Sequence, residues 1–219
     1  MEQKTEFYIA QTANYVKAEL EGAESGHDWW HIFRVWKLAD RIAREEHADL
    51  LVVSLGALLH DIADAKFYDG DETVGPRKAE DFLRTLQVPG HTIGKVRNII
   101  RFVSFKNRHE TPEEETLELH IVQDADRLDA MGAMGIARAF SYGGFKKREM
   151  YNPDIPPKTG MNKEEYKKDT GPTINHFYEK LLLLKEMMHT ATGRKMAQGR
   201  HRFMEKFLAE FYDEWHGDK

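Results

Sequence analysis

The chain contains no cysteine. Disulfides, cysteine zinc knuckles, iron–sulfur clusters and thiol nucleophiles are all excluded. A cysteine-free chain is compatible with a cytoplasmic location, which is the expectation here. There is no long hydrophobic run. The most apolar stretch, residues 50–59, is far short of the roughly 20 residues that span a bilayer, so it reads as a buried helix. The opening Met1-Glu2-Gln3-Lys4 lacks an apolar core, and no signal peptide is expected. Excess positive charge is also missing. A formal net charge of −5 gives no broad basic surface, so neither a nucleic-acid polymer nor a membrane is expected as a partner. A small anionic substrate stays open if local cations and a metal offset the overall sign. Internal repeats, low-complexity tracts and strand-like alternation are absent, and the 219 residues fit one domain with a core large enough to need no covalent staples.

What is present is helical periodicity, and it predicts an all-α chain. Ile9, Ala13, Val16 and Leu20 recur at helical spacing up to Gly22. A second helix follows Ser25-Gly26, its inner face including His31, Val35, Leu38, Ala39 and Ile42. Asp49 is placed to cap a third helix over residues 50–61, apolar nearly all round as a central helix is. Gly70-Asp71 and Gly75-Pro76 mark loops. Helices are then predicted over 77–87, 91–102 and 113–129, the last started by Thr111-Pro112-Glu113-Glu114. Residues 143–172 hold four of the seven prolines and read as a long loop of the kind that often binds or covers a site. Two stripes close the chain, Phe177/Leu181/Leu184/Met188 and Met196/Phe203/Phe207/Phe211. With Gly193 between them they predict an antiparallel helical hairpin.

Three clusters carry chemistry. His60-Asp61 ends the apolar helix, where burying an imidazole beside a carboxylate is costly unless both are paired or bound to metal. A chelated ion and a plain His–Asp hydrogen bond both satisfy that demand. Imidazole with carboxylate suits zinc, manganese, iron or nickel better than calcium. His27 and His31 are four residues apart and share a helical face, as in the zinc helix of metallopeptidases, but Asp28 stands where that motif has glutamate. Asp124, Asp126 and Asp129 follow an apolar approach, and spacing does not select which of them completes a metal site. The aromatic run Trp29, Trp30, Phe33, Trp36 reads as core packing.

Taken in order, His31, His60-Asp61 and Asp126 resemble the HD superfamily of metal-dependent phosphohydrolases. The likeness is carried by His27-Asp28-x-x-His31-x-x-Arg34-Val35, by Leu58-Leu59-His60-Asp61-Ile62-x-Asp64-x-Lys66, and by Gln123-Asp124-Ala125-Asp126-Arg127-Leu128-Asp129-x-x-Gly132. It reaches Ile100-x-x-Val103-Ser104-Phe105-Lys106 and His176-Phe177-Tyr178-Glu179-Lys180-Leu181-Leu182, and so spans nearly the whole chain. The resemblance implies an HD helical bundle forming a single domain over residues 1–219, with a core at about 24–140, a long loop at 143–172 and C-terminal helices at 173–216. It implies one divalent metal (Mn, Ni, Co, Fe, Zn or Mg) held by His31, His60, Asp61 and Asp126. It further implies hydrolysis of a phosphate ester, a nucleotide or related small phosphorylated metabolite, by a metal-activated water. Asp64 is the candidate general acid/base, His27 touches substrate or orients the metal shell, and Lys106 supplies a cation near the reacting group. Lys66, Arg127, Lys146 and Arg148 are the substrate-binding candidates, because transferred phosphoryl groups call for cations. A metal-binding, ligand-sensing domain without turnover is the competing reading. Oligomeric state is not legible in the sequence.

Overall fold

A computed structural model of the chain describes residues 2–22, 28–63, 71–103, 114–158, 160–161 and 169–219. Among the described residues every regular element is helical. In chain order they are α1 (Glu2–Glu19), α2 (Trp29–Glu45), α3 (Leu50–Leu59), α4 (Val74–Thr85), α5 (Gly90–Phe102), α6 (Leu117–Asp129), α7 (Gly132–Phe145), α8 (Asn175–Glu179), a 3-10 helix (Leu181–Met187) and α9 (Ala191–His216). They form two compact units, Met1–Asp126 and Arg127–Lys219. No helix among the described residues is long and apolar enough to cross a membrane.

The first unit is assembled on α3. The Asp49 carboxylate accepts the free N–H groups of Leu51 and Val52 and so starts the helix. From Val52 to Leu59 every residue is buried. Each fully buried Leu or Val there contributes about 1.5–3 kcal/mol over an exposed one, and α1, α2 and α5 supply the covering surfaces. The closest approach is at Gly56. A Cβ built on it would lie 2.8 Å from Ile99 Cδ1 and 3.0 Å from Ile99 Cγ2, so the missing side chain lets α3 and α5 draw together. α1 is tied to α4 by Tyr15 stacked on Phe82 at 3.9 Å, and its Tyr8 hydroxyl donates to the Gln87 carbonyl at 3.1 Å.

Several boundaries differ from those predicted. α4 begins at Val74, so Gly75-Pro76 lies in its first turn and not in a loop; proline is tolerated there because those N–H groups have no helical partner. The start signal placed at 111–114 lies largely outside the described residues. α6 begins instead behind Thr116, whose hydroxyl accepts from Leu119 N–H at 3.1 Å. The aromatic run on α2 divides: Trp29 and Trp36 pack against the core as expected, and Trp30 does not. Ile32, Val35, Ala39 and Ile42 face inward, whereas Trp30 is 61% exposed and Lys37 lies 4.4 Å over the Trp36 ring.

In the second unit α9 packs on α7 and on the 3-10 helix. The first arm of the expected hairpin is a short α-helix followed by a 3-10 segment. Lys180 leaves the helical region there (φ −144°, ψ −57°), and three-residue spacing then puts Leu181 and Leu184 on one buried side. Gly193 falls inside α9, because the Thr190 hydroxyl caps the helix by accepting from Gly193 N–H at 2.9 Å. The buried stripe of α9 is Ala197, Met204 and Leu208, while Phe203 is exposed. At the α6–α7 junction Gly132 takes φ +68°, and a Cβ on Gly135 would run into the backbone carbonyl of Ala130.

A polar network also lies in this unit. Asp169 accepts from Lys158 Nζ at 2.8 Å and from Gly171 N–H at 3.0 Å, and its carbonyl accepts from Arg148 Nη2 at 2.6 Å. Burial pushes the Asp169 carboxyl up, but the Lys158 and Gly171 bonds outweigh it and hold the group below the usual range. His176 is packed in from most sides, though part of its surface reaches solvent. Burial, then the nearby positive charges of Lys180 and Arg148, lower its pKa to about 3.

Gly56→Ala should lower stability by about 1–3 kcal/mol despite the better helix propensity of alanine. Combining it with Ile99→Val, which removes the obstructing Cδ1, should recover part of the loss in urea unfolding. Gly135→Ala, which meets rigid backbone, should cost more than Gly56→Ala. For His176 the unfolded chain takes up a proton near pH 6.5 and the folded chain only near 3, so this residue makes the protein less stable as pH falls through that window. His176→Gln should flatten the drop in urea midpoint between pH 7 and pH 4.5; an unchanged drop would show that the folded histidine titrates normally.

Candidate metal centre

Three helices of the first unit each deliver one side chain to a common point. Asp28 starts α2: its carboxylate accepts the His31 backbone N–H at 2.9 Å, which sets His31 in the first turn. α3 runs through the core and ends on His60, its C-cap residue, in right-handed helical geometry (φ −59°, ψ −28°). Asp126 lies in the last turn of α6. One ligating atom from each of His31, His60 and Asp126 lies within 4.8 Å of the other two. Asp126 Oδ1 is 3.5 Å from His31 Nε2 and 3.9 Å from His60 Nε2, and the ring centroids are 5.3 Å apart at 70°.

The protonation of His60 follows from its neighbours. Its Nδ1 is 2.8 Å from the Ala57 carbonyl. A carbonyl can only accept, so the single proton of the neutral ring belongs on Nδ1 and Nε2 carries a lone pair. That lone pair faces a carboxylate oxygen, which is also an acceptor. Two acceptors facing each other in this way are relieved by a metal cation between them or by a second ring proton. Donors each about 2.1 Å from one ion lie at most about 4.2 Å apart, and both carboxylate–imidazole separations fall within that span. The donor set therefore fits a divalent metal, with a backbone carbonyl orienting one imidazole from behind. Both imidazoles are nearly sealed, while the Asp126 side chain is 30% exposed. The cluster is reached from its carboxylate side.

The other sequence-level candidates divide by position. Asp61 follows His60, is half-buried, and is not a member of the three-residue cluster. Asp124 is fully buried, and Asp129 is buried and paired with Arg138. Arg127 is buried and donates through Nη1 to the Met187 carbonyl at 2.6 Å. His27, Asp64, Lys66 and Lys106 lie outside the described residues. In the second unit, Lys146 and Arg148 line a cavity of about 500 Å³ with Tyr142, Lys147 and Asp169. Lys146 Nζ and the Arg148 guanidinium carbon each lie 5.7 Å from the Tyr142 ring centre. Two contributors escaped the sequence reading. The cap at Asp28 had a visible signal, a short acid immediately before an amphipathic run. The Ala57 carbonyl had none, because any residue three before His60 offers the same backbone oxygen.

An HD domain model matches residues 29–131, a segment that contains all three converging side chains. The chain is also 38% identical to the YpgQ protein of Bacillus subtilis (strain 168) over 201 residues, covering 91% of this chain and 90% of that one. The chain belongs to the HD-domain family. Among solved members, the crystal structure of an HD-superfamily hydrolase from Bacillus thuringiensis is 41% identical, with a TM-score of 0.78 over 97% of this chain and 98% of that one. The structure of B. subtilis YpgQ in complex with ADP is 33% identical, with a TM-score of 0.77 over 96% of each chain. The all-helical HD fold and the kinship with HD-superfamily hydrolases are thereby established.

If the cluster holds a cation, Mn²⁺ or Co²⁺ added to metal-stripped protein at about a hundredfold over Kd should raise Tm by roughly 5–10 °C. His60→Ala should abolish the shift. A wild-type Tm that ignores metal would overturn the assignment.

Proposed function

We propose that this HD-domain protein is a metal-dependent phosphohydrolase acting on a nucleotide or related small phosphorylated metabolite. The observation that carries the reading is the Asp126 carboxylate facing an Nε2 lone pair of His60, with His31 beside it. His31, His60 and Asp126 would hold one divalent ion of the Mn, Ni, Co, Fe, Zn or Mg group, with Asp61 as the fourth ligand. When bound, that ion supplies Lewis acidity toward a phosphoryl oxygen and lowers the pKa of coordinated water toward neutrality.

The protein groups have separate tasks. Ala57 keeps the His60 proton on Nδ1 and so keeps Nε2 available. Asp64, three residues beyond Asp61, is assigned the proton transfer to the leaving group. His27 is assigned contact with the substrate or orientation of the ligands, and Lys106 and Lys66 bring positive charge to the phosphoryl oxygens. Arg127 and Arg148 each already give a donor to a backbone carbonyl, so their proposed contribution is fixed positive charge and not a closing clamp. Lys146 is assigned to anion binding in the cavity beside Tyr142. The ADP held by YpgQ supports a nucleotide as the substrate class. We read residues 1–219 as one functional domain and the cytoplasm as its location.

The test is a panel of nucleoside mono-, di- and triphosphates with an aryl phosphate, assayed with Mn²⁺, Ni²⁺ or Co²⁺. Turnover should appear in the wild type, and Asp61→Ala should lower kcat/KM about a thousandfold, or about 4 kcal/mol. A folded, metal-loaded wild type inert to every phosphoester would return the chain to the ligand-sensing reading.

A further inference from the structure

Gln123 lies one turn before Asp126 on α6, on the same helical face. Its Nε2 donates to the carbonyl of Phe102, the last residue of α5, at 2.8 Å. Carbonyls at a helix C-terminus have no partner inside their own helix, so this bond answers a standing need of α5. A second tie lies nearer the start of α6, where the buried Glu118 accepts the Asp49 backbone N–H at 3.3 Å. Asp49 caps α3, whose other end carries His60. α3 in turn meets α5 at the close approach of Gly56 to Ile99. The three helices are thus joined in a ring, and Glu118 and Gln123 are polar links through which α6 joins it. These links sit about 7.5 Å apart along the helix axis. Two directional bonds at different heights restrict both sliding and rotation of α6. Apolar burial alone does not, because it is non-directional, whereas metal–ligand distances tolerate only about 0.2 Å.

We propose that Gln123 is a positioning residue for Asp126: its amide bond to the end of α5 sets the register of α6 that carries the Asp126 carboxylate to Nε2 of His31 and His60. The proposal rests on the reading of this cluster as a metal centre.

Metal-stripped protein is titrated with Mn²⁺ by calorimetry, and the visible absorption of the Co²⁺-loaded form is recorded. Wild type, Gln123→Met, Gln123→Glu and Val16→Ala are compared. Methionine keeps the length without a donor; glutamate keeps the shape and places an acceptor against the Phe102 carbonyl. Val16→Ala opens a core site under α1 and serves as the control for general destabilisation. Both Gln123 variants should weaken metal binding about 10- to 100-fold and change the Co²⁺ spectrum. Val16→Ala should lower Tm and leave affinity and spectrum unchanged. Folded Gln123 variants with wild-type affinity and spectrum would overturn the proposal alone. The same holds if Val16→Ala weakens metal binding as much as they do, or if neither Gln123 variant folds. A wild type that takes up no metal would overturn the metal-centre reading itself, and is seen before any variant is made.

Discussion

Two imidazoles and a carboxylate are brought to one point, and the first unit is built to hold them there. The carbonyl of Ala57 commits the His60 proton to the far side of the ring. The Asp28 cap fixes where α2 begins, and therefore where His31 stands. Neither residue has an evident role in chemistry, yet each removes one freedom by which the cluster would relax. Gathering polar groups in a nearly sealed place costs desolvation, and the large apolar surface buried around α3 offsets it. The polar cost falls at one end of a helix and the hydrophobic burial along its length.

The second unit solves a different electrostatic problem. Lys158, Arg148 and the Gly171 N–H converge on Asp169 and hold an acid ionised in partly buried surroundings. Burial, with the positive charges of Lys180 and Arg148, keeps His176 uncharged. Basic residues in this part of the chain are therefore largely engaged in holding backbone and carboxylate in place. Lys146 is the contrasting case: its ammonium lies over the Tyr142 and Phe145 rings, on the rim of a cavity.

Much of this was legible in the residues. The apolar run at 50–59, the acid before it and the His-Asp after it led to a central capped helix ending at a site, which α3 is. Periodicity located α5 to within a residue, and the end of α1 and the start of α2 to within a few. Where it failed, a competing interaction explains why. Proline near Val74 signalled a loop, but first-turn positions accept it. Glycine at 193 resembled a break, yet the Thr190 hydroxyl had already started the helix. Phe203 matched the spacing of a buried stripe, and the stripe runs one position later through Met204, because aromatic bulk and burial do not always coincide. The choice among three aspartates was not readable from spacing. It depends on Asp129 pairing with Arg138 on the next helix and on Asp126 facing two histidines from much earlier in the chain, which are tertiary relations.

A helix with no outward face has no position where charge is tolerated cheaply. Between Val52 and Leu59 an ionisable replacement would be cut off from water, so this strip, which holds Ser54 among its apolar residues, can vary in volume and branching but not take on charge. The outer surfaces of α1, α2 and α4 carry no such prohibition. Charge placed on those outer faces keeps its water, whereas charge placed on the strip that ends at His60 would lose it.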